Sequence, residues 1–431
     1  MSMLPLTTSI HDAFAAIAAR LNGEAASSFH ASRKHAFAQF TAIGIPSTRH
    51  EEWKYTNVMP IAGNSWKHAT SMWQGPIDPE SSNPLRGLED AIRIEVRNGS
   101  ILVDNSEQFP EGLTILPLSA AQICDTSADL LNINPFSAAT VALAGEGICL
   151  DVADNMTIGK PIHIAVIGDA DHGDLLSTTR VVVRVGRLSS IDLVESHHSH
   201  GSAKVLDLAV CSVHVAESGK ASYTKIVDDC DRLTHIGHVT GYVERSATFA
   251  SHSVNIAAGF VRNDAQIRLA GEGSQGFLFG VSVLNGNQYV DNHTVVDHMV
   301  PHCHSEELYK GVYDGASTGV FNGKIYVRPQ AQKTTAYQSS HSLLLGSKAQ
   351  VNAKPQLEIW ADDVKCSHGA TTGQLNEDAV FYLQARGLER EKAMSLLTNA
   401  FAAEVVEKLP HDNLRSIMMQ RLAETLGAGG L

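Results

Sequence analysis

The chain has 431 residues, 43% of them apolar, enough for a large buried core and incompatible with wholesale disorder. Its 46 acidic and 33 basic side chains give a formal charge of −13, which argues against a nucleic-acid partner, since that would need a basic stripe. No apolar run reaches the roughly 18 residues of a membrane span, and residues 1–21 lack the features of a signal or transit peptide, so a cytoplasmic protein without a membrane partner is expected.

The first 90 residues read as a helical domain followed by a loop. Ile10, Phe14, Ile17 and Leu21 recur at three- to four-residue spacing and predict one amphipathic helix. A second is expected from about Ser27, with Phe29, Ala36, Phe37, Phe40 and Ile43 on one side and Gly44 as its stop. Residues 46–56 form a polar and aromatic segment, and residues 63–88 are rich in Pro, Gly, Ser and Asn.

From about residue 91 to residue 360 helix-period patterns disappear. Short alternating runs rich in β-branched residues replace them, such as Arg180-Val181-Val182-Val183-Arg184-Val185 and Gly323-Lys324-Ile325-Tyr326-Val327. Small-residue corners recur at Ser218-Gly219, Ser246-Ala247, Gly315-Ala316 and Gly346-Ser347. Neighbouring corners lie about 26 to 33 residues apart, with one wider gap between 247 and 316, a spacing that suits the coils of a β-solenoid. The fold class expected is mainly β: a parallel β-helix over residues 91–372 between helical ends.

Helical periodicity returns after residue 373. One helix opens at Glu377 and ends by Gly387. A longer one carries Ala393, Leu396, Leu397, Ala400, Phe401, Val405 and Leu409, and a last one follows Pro410 with Asp412 as its expected cap. The domain at 373–431 would either cap an open end of the solenoid or serve as a docking surface.

Few residues invite chemistry. There is no G-x-S-x-G elbow and no P-loop, and the Gly271–Gly276 match to GxGxxG lies in the β zone, where it reads as backbone corners. Asp228, Asp229, Asp231, Asp362 and Asp363 read as polar turns rather than glycosidase acids. The six scattered cysteines, Cys124 among them, are expected to be mostly small buried hydrophobes. The clusters His197-His198-Ser199-His200 and His302-Cys303-His304-Ser305-Glu306 are expected to be structural or surface features, although His302, His304 and Glu306 on one strand face would suit a self-contained metalloenzyme. Cys366 and His368, two residues apart after a strand-like run, put a thiol and an imidazole on the same side. The pair suits iron or zinc, and Lys365 predicts a lowered thiol pKa. Two ligands do not close a site, so further ones come from elsewhere in the chain or from another chain.

The segment 354–371, which contains Trp360-Ala361-Asp362-Asp363-Val364-Lys365-Cys366-Ser367-His368-Gly369, resembles the hallmark of the SufB/SufD family of iron–sulfur cluster assembly proteins. Residues 49–56, 332–338, 343–345, 381–387 and 400–404 fit the same family. Gly369 after the histidine and Tyr382 before Leu383 resemble the SufD branch, where SufB tends to carry Glu and Cys.

The resemblance implies a right-handed parallel β-helix between helical domains, in a non-catalytic scaffold subunit. Such a subunit pairs with SufB through the β-helix end and docks the SufC ATPase on its carboxy-terminal helices. His368 and then Cys366 would be ligands of a transient cluster or iron shared with SufB, with none tightly bound to the isolated chain. A homodimer through an exposed strand edge is a further expectation, and a SufB-like acceptor of sulfur is a third reading.

Overall fold

A computed structural model describes residues 3–20, 28–69, 85, 87–88, 90–103, 109–121, 134–145, 147–256 and 258–427. Cys124 and the expected contribution of Leu21 lie outside the described residues. The strands form two ten-stranded sheets, and from Ile162–Asp169 onward successive strands alternate between them. Each coil therefore gives one strand to each sheet, and the result is a β-solenoid of about 8 turns with helices at both termini.

Register sets the period. Lys220 pairs with Thr248, Thr248 with Gln275, Gln275 with His304, His304 with Thr335 and Thr335 with Lys365, all in parallel. These steps fall within the spacing expected from the sequence and run straight through its wider gap. Two further corners lie in it: Gly286, at φ +62 and one coil before Gly315, and Gly271–Gly276, with Gly273 at φ +72.

That glycine belongs to a column. Asn155, Leu188, Ser218, Ser246, Gly273, His302 and Lys333 all adopt left-handed backbone, one per coil. Outside glycine this conformation costs roughly 1–2 kcal/mol per residue. Each corner is held by its neighbour: the Ser218 N–H donates to Arg245 O at 2.9 Å, Ser246 to Glu272 O at 3.0 Å and His302 to Gln332 O at 2.9 Å.

Side chains alternate between the inside and outside of the coil. Part of the inside is apolar in every coil, with Ile94, Ile164, Val183, Val213, Ile267 and Ile325 in one cluster. Buried polar groups share the interior: Asn263 donates across it to Ser253 at 3.1 Å, Asn255 at 3.1 Å and Asn292 at 2.9 Å.

The outer faces of the sheets are also apolar, and helices cover them. The helices α1 (Pro5–Arg20), α2 (Ser28–Ile43), α3 (Met59–Ala62) and α4 (Pro135–Leu143) share a core with Leu176, Leu206, Leu208 and Ile236 of one sheet. The helices α5 (Glu377–Gln384), α6 (Arg390–Val406) and α7 (Asp412–Thr425) follow the solenoid. Val405, Val406, Leu414, Met418 and Leu422 cover Val254, Phe279, Val281 and Leu308 of the other sheet. The carboxy-terminal helices thus lie along the flank and do not cap the end. Their apolar stripes answer an apolar sheet face that would otherwise meet water. The cap of α7 is His411, one residue before the expected Asp412.

Helix α4 interrupts a zone that reads as free of helix. All nine of its residues are buried, so it has no amphipathic stripe to detect. The signal that was present is Asn134-Pro135: the Asn134 side chain caps the Phe136 N–H at 2.8 Å, and proline suits the first helical position.

Candidate functional site

The strands Gln350–Ile359 and Lys365–Gly373 end the two sheets, and each has a neighbour on one side only. At the opposite end both sheets finish in short antiparallel pairs, Ser100–Val103 with Ile92–Arg97 and Leu113–Pro117 with Ile148–Val152. The carboxy-terminal end is therefore the long open one, two nine- to ten-residue strands with free N–H and C=O rows.

Cys366 and His368 occupy the same side of this last strand, opposite Ala336 and Gln338 of the strand Thr335–Leu344. Cys366 is half-buried and packs against the interior cluster, whereas His368 is exposed. Burial pushes the thiol pKa up, with a hydrogen bond to the Ala336 backbone opposing it. The lowered value expected from Lys365 is thus reversed. Adjacent strand residues point to opposite faces, so Lys365 stands in solvent while Cys366 looks into the coil.

Behind His368 the interior is polar and dry. The Gln338 side-chain amide donates to Glu307 at 3.2 Å, and Thr294 donates to the same carboxyl oxygen at 2.6 Å. Burial raises the Glu307 carboxyl to about 7 against these two bonds. The sequence offers a signal for this relation: Gln338 follows Glu307 by one coil period, on the same inward face.

The segment 49–56 acts as a clamp on the sheet beside the open end. Trp53 is buried, with the Arg262 guanidinium 3.7 Å above its ring, and Arg262 also donates to Glu52 O at 2.9 Å and to Asp291 at 2.8 Å. Glu52 pairs with Lys324 and lies 3.5 Å from His293, while Glu51 pairs with Lys354 of the terminal strand Gln350–Ile359. A cleft of about 500 Å³ opens next to this clamp, floored by Lys324, Tyr326, Arg328 and Trp360. Its charges are matched locally, as in the two 2.8 Å bonds from Arg328 to Asp297.

The other candidates separate. His302 sits at a left-handed corner, exposed, and only from His304 does the strand begin. His304 lies beside the Phe277 ring, and Glu306 receives Lys408 at 3.4 Å. Among the described residues, three potential ligand atoms lie within 4.8 Å of one another only in His197/Asp207/His235 and in Asp169/Asp171/His200, so His302, His304 and Glu306 form no such set. The His197–His200 run is strand rather than turn, and its members alternate between faces, with His197 fully buried and His200 exposed.

Asp228 pairs with Arg421, Asp229 accepts the Ser199 and Cys230 N–H groups, and Asp231 accepts Gln288. Asp363 pairs with Lys333 at a corner. Cys149, Cys211 and Cys303 are buried, Cys230 and Cys366 are half-buried, and all five are free thiols.

Fold and site together define a helix-flanked β-solenoid whose open sheet end carries a cysteine and a histidine on one side of its last strand. Residues 166–401 match the SUF system FeS cluster assembly SufBD core domain, and residues 6–164 match the SufBD protein N-terminal region. The chain belongs to the SufBD family of iron–sulfur cluster assembly proteins. It is 28% identical to the iron–sulfur cluster assembly protein SufD of Escherichia coli over 91% of this chain and 92% of that one. SufBD family proteins of Synechocystis and Mycobacterium leprae are each 25% identical, covering 88% and 90% of this chain and 87% and 93% of their own lengths. No helix among the described residues is long and apolar enough to cross a membrane.

Proposed function

We propose that this chain is a SufD-like, non-catalytic scaffold subunit that pairs with SufB through the open end of its solenoid and docks the SufC ATPase on its carboxy-terminal helices. The observation that carries the pairing is the position of Cys366 and His368 on a strand with one unpaired edge. Strand addition by a partner would satisfy that edge and bring further ligands to the pair in one step. Tyr337, Ile359 and Trp360 are 43%, 39% and 49% exposed around the same end, an apolar rim suited to burial.

In this reading His368 binds iron or a transient cluster directly, because it is already exposed. Cys366 stays a protonated, half-buried neighbour until the interface opens. SufC docking is supported by Phe381 and Tyr382 on α5, 71% and 56% exposed on a short helix that faces away from the sheet core. Chain boundaries of 1–90, 91–372 and 373–431 for the front domain, scaffold and docking domain accompany this proposal.

Two variants test it in cells that also make SufB and SufC. His368→Ala should leave the three-protein complex intact and abolish cluster assembly, and normal assembly by this variant overturns the ligand role. Phe381→Asp should lose SufC while SufB still co-purifies; retention of SufC rejects the docking surface.

A further inference from the structure

Far from the open end, the interior holds a cluster that the assembly site does not use. Asp207 and His235 are register partners on adjacent strands, and His197 reaches them from the other sheet. All three are buried, at 3%, 0% and 0% exposure. Nδ1 of His197 lies 2.7 Å and Nδ1 of His235 lies 2.8 Å from the same Asp207 oxygen, Oδ2. The second carboxyl oxygen of Asp207, Oδ1, and Nε2 of His235 have no hydrogen-bond partner among the described residues.

We propose that His197, His235 and Asp207 form an interior binding site for one divalent first-row transition ion, zinc or ferrous iron. Two imidazoles and one carboxylate are a donor set for such ions, and three converging ligands leave a position for Oδ1 or water. The surroundings are those of a ligand rather than of a packed polar core. Nε2 of His197 is 2.8 Å from Glu195, so a carboxylate fixes the tautomer that presents Nδ1 to the ion. Glu195 and Asp207 bring two carboxylates into the same buried layer, faced by the Lys225 ammonium and by the His197 imidazole that both of them contact. An ion bound at Nδ1 takes the place of the proton that His197 otherwise shares with Asp207. Gly237 makes room on the far side of His235 for the Lys225 side chain, since a Cβ there would stand 2.4 Å from the His235 Nε2 and 2.6 Å from the Lys225 Nζ.

Because the site is sealed, the ion enters as the coils close and does not exchange afterwards. The test uses the full chain with Cys366→Ala, His368→Ala and His200→Ala, which removes the open-end pair and the exposed histidine cluster. It is produced in zinc- or iron-supplemented medium and dialysed against a chelator.

About one ion per chain should remain in one of the two media, with X-ray absorption showing nitrogen and oxygen donors at about 2.0–2.2 Å and no sulfur. Asp207→Asn or Glu195→Gln in that background should lower retention about tenfold or more. Less than about a tenth of an ion per chain in both media, or sulfur among the donors, overturns the site whether or not the variants fold. Failure here leaves the His368 assembly result untouched, since that residue is absent from this background.

Discussion

Gln338 stands opposite His368 across the last pair of parallel strands, and its side-chain amide donates to Glu307 at 3.2 Å one coil farther in. An exposed imidazole at the open end is thereby backed by a buried carboxyl whose pKa burial raises to about 7.

The native state holds a proton on Glu307 that the unfolded chain, with its ordinary glutamate pKa, has lost by mid-acid pH. Glu307 therefore contributes stability that is fully present below the unfolded value, declines as pH rises through about 7 and is gone above it. Glu307→Gln should flatten this decline. Urea midpoints at about pH 5 and about pH 8 should differ more in the parent chain than in the variant, and equal differences would refute the assignment.

Glu52 has the opposite sign. The hydrogen bond with His293, then that with Lys324, hold its carboxyl down at about 2 although partial burial opposes them. Its contribution is present above the ordinary glutamate value and is lost as pH falls toward about 2. Glu52→Gln should weaken the chain modestly at neutral pH and make its acid unfolding less steep. The acid transition followed by tryptophan fluorescence is suited to this, because Trp53 lies next to Glu52 in the clamp.

The Arg421 guanidinium grips Asp228 with bonds of 2.7 and 2.9 Å and ties α7 to the solenoid flank. The pair is partly solvent-exposed, so Arg421→Ala should cost about 1 kcal/mol or less. The loss should be local, seen as faster amide exchange in α7 while exchange in the strands Lys220–Asp228 and Thr248–Ile256 is unchanged. Uniform acceleration across the solenoid would show that this contact is not confined to the helix.

Inside the coil the Tyr313 ring lies where two glycines leave space. A Cβ on Gly319 would stand 2.2 Å from the ring and one on Gly311 2.3 Å from it. Gly319→Ala should destabilise by about 1–3 kcal/mol through overpacking. Gly159→Ala, where a Cβ would meet nothing within 4 Å, is the control and should stay within about 0.5 kcal/mol. Thermal unfolding of the two variants makes the comparison.

Much of the scaffold was legible because its signals are local or periodic. Ser218 and Ser246 mark corners at the coil period, and α1 and α2 carry amphipathic stripes, whereas α6 leaves Leu396 and Ala400 of its expected face exposed. The shared face of Cys366 and His368 follows from strand alternation alone. What stayed hidden depends on partners far apart in the chain. The raised Cys366 thiol comes from packing against the coil interior, which outweighs the neighbouring Lys365. Asp207 and His235, 28 positions apart, meet only through register, so neither belongs to the histidine run that first drew notice. The flank position of α6 and α7 required knowing that Phe279 and Val281 need covering.

The open end also has a meaning in time. Each coil of a solenoid contacts only its neighbours, and a chain leaving the ribosome presents its amino-terminal part first. The strand with Cys366 and His368 is laid down last of all the coils, on a template that every earlier register must have got right. A slip by one residue upstream would turn the side chains of the slipped strand to the opposite face, and every later coil would be laid on that error.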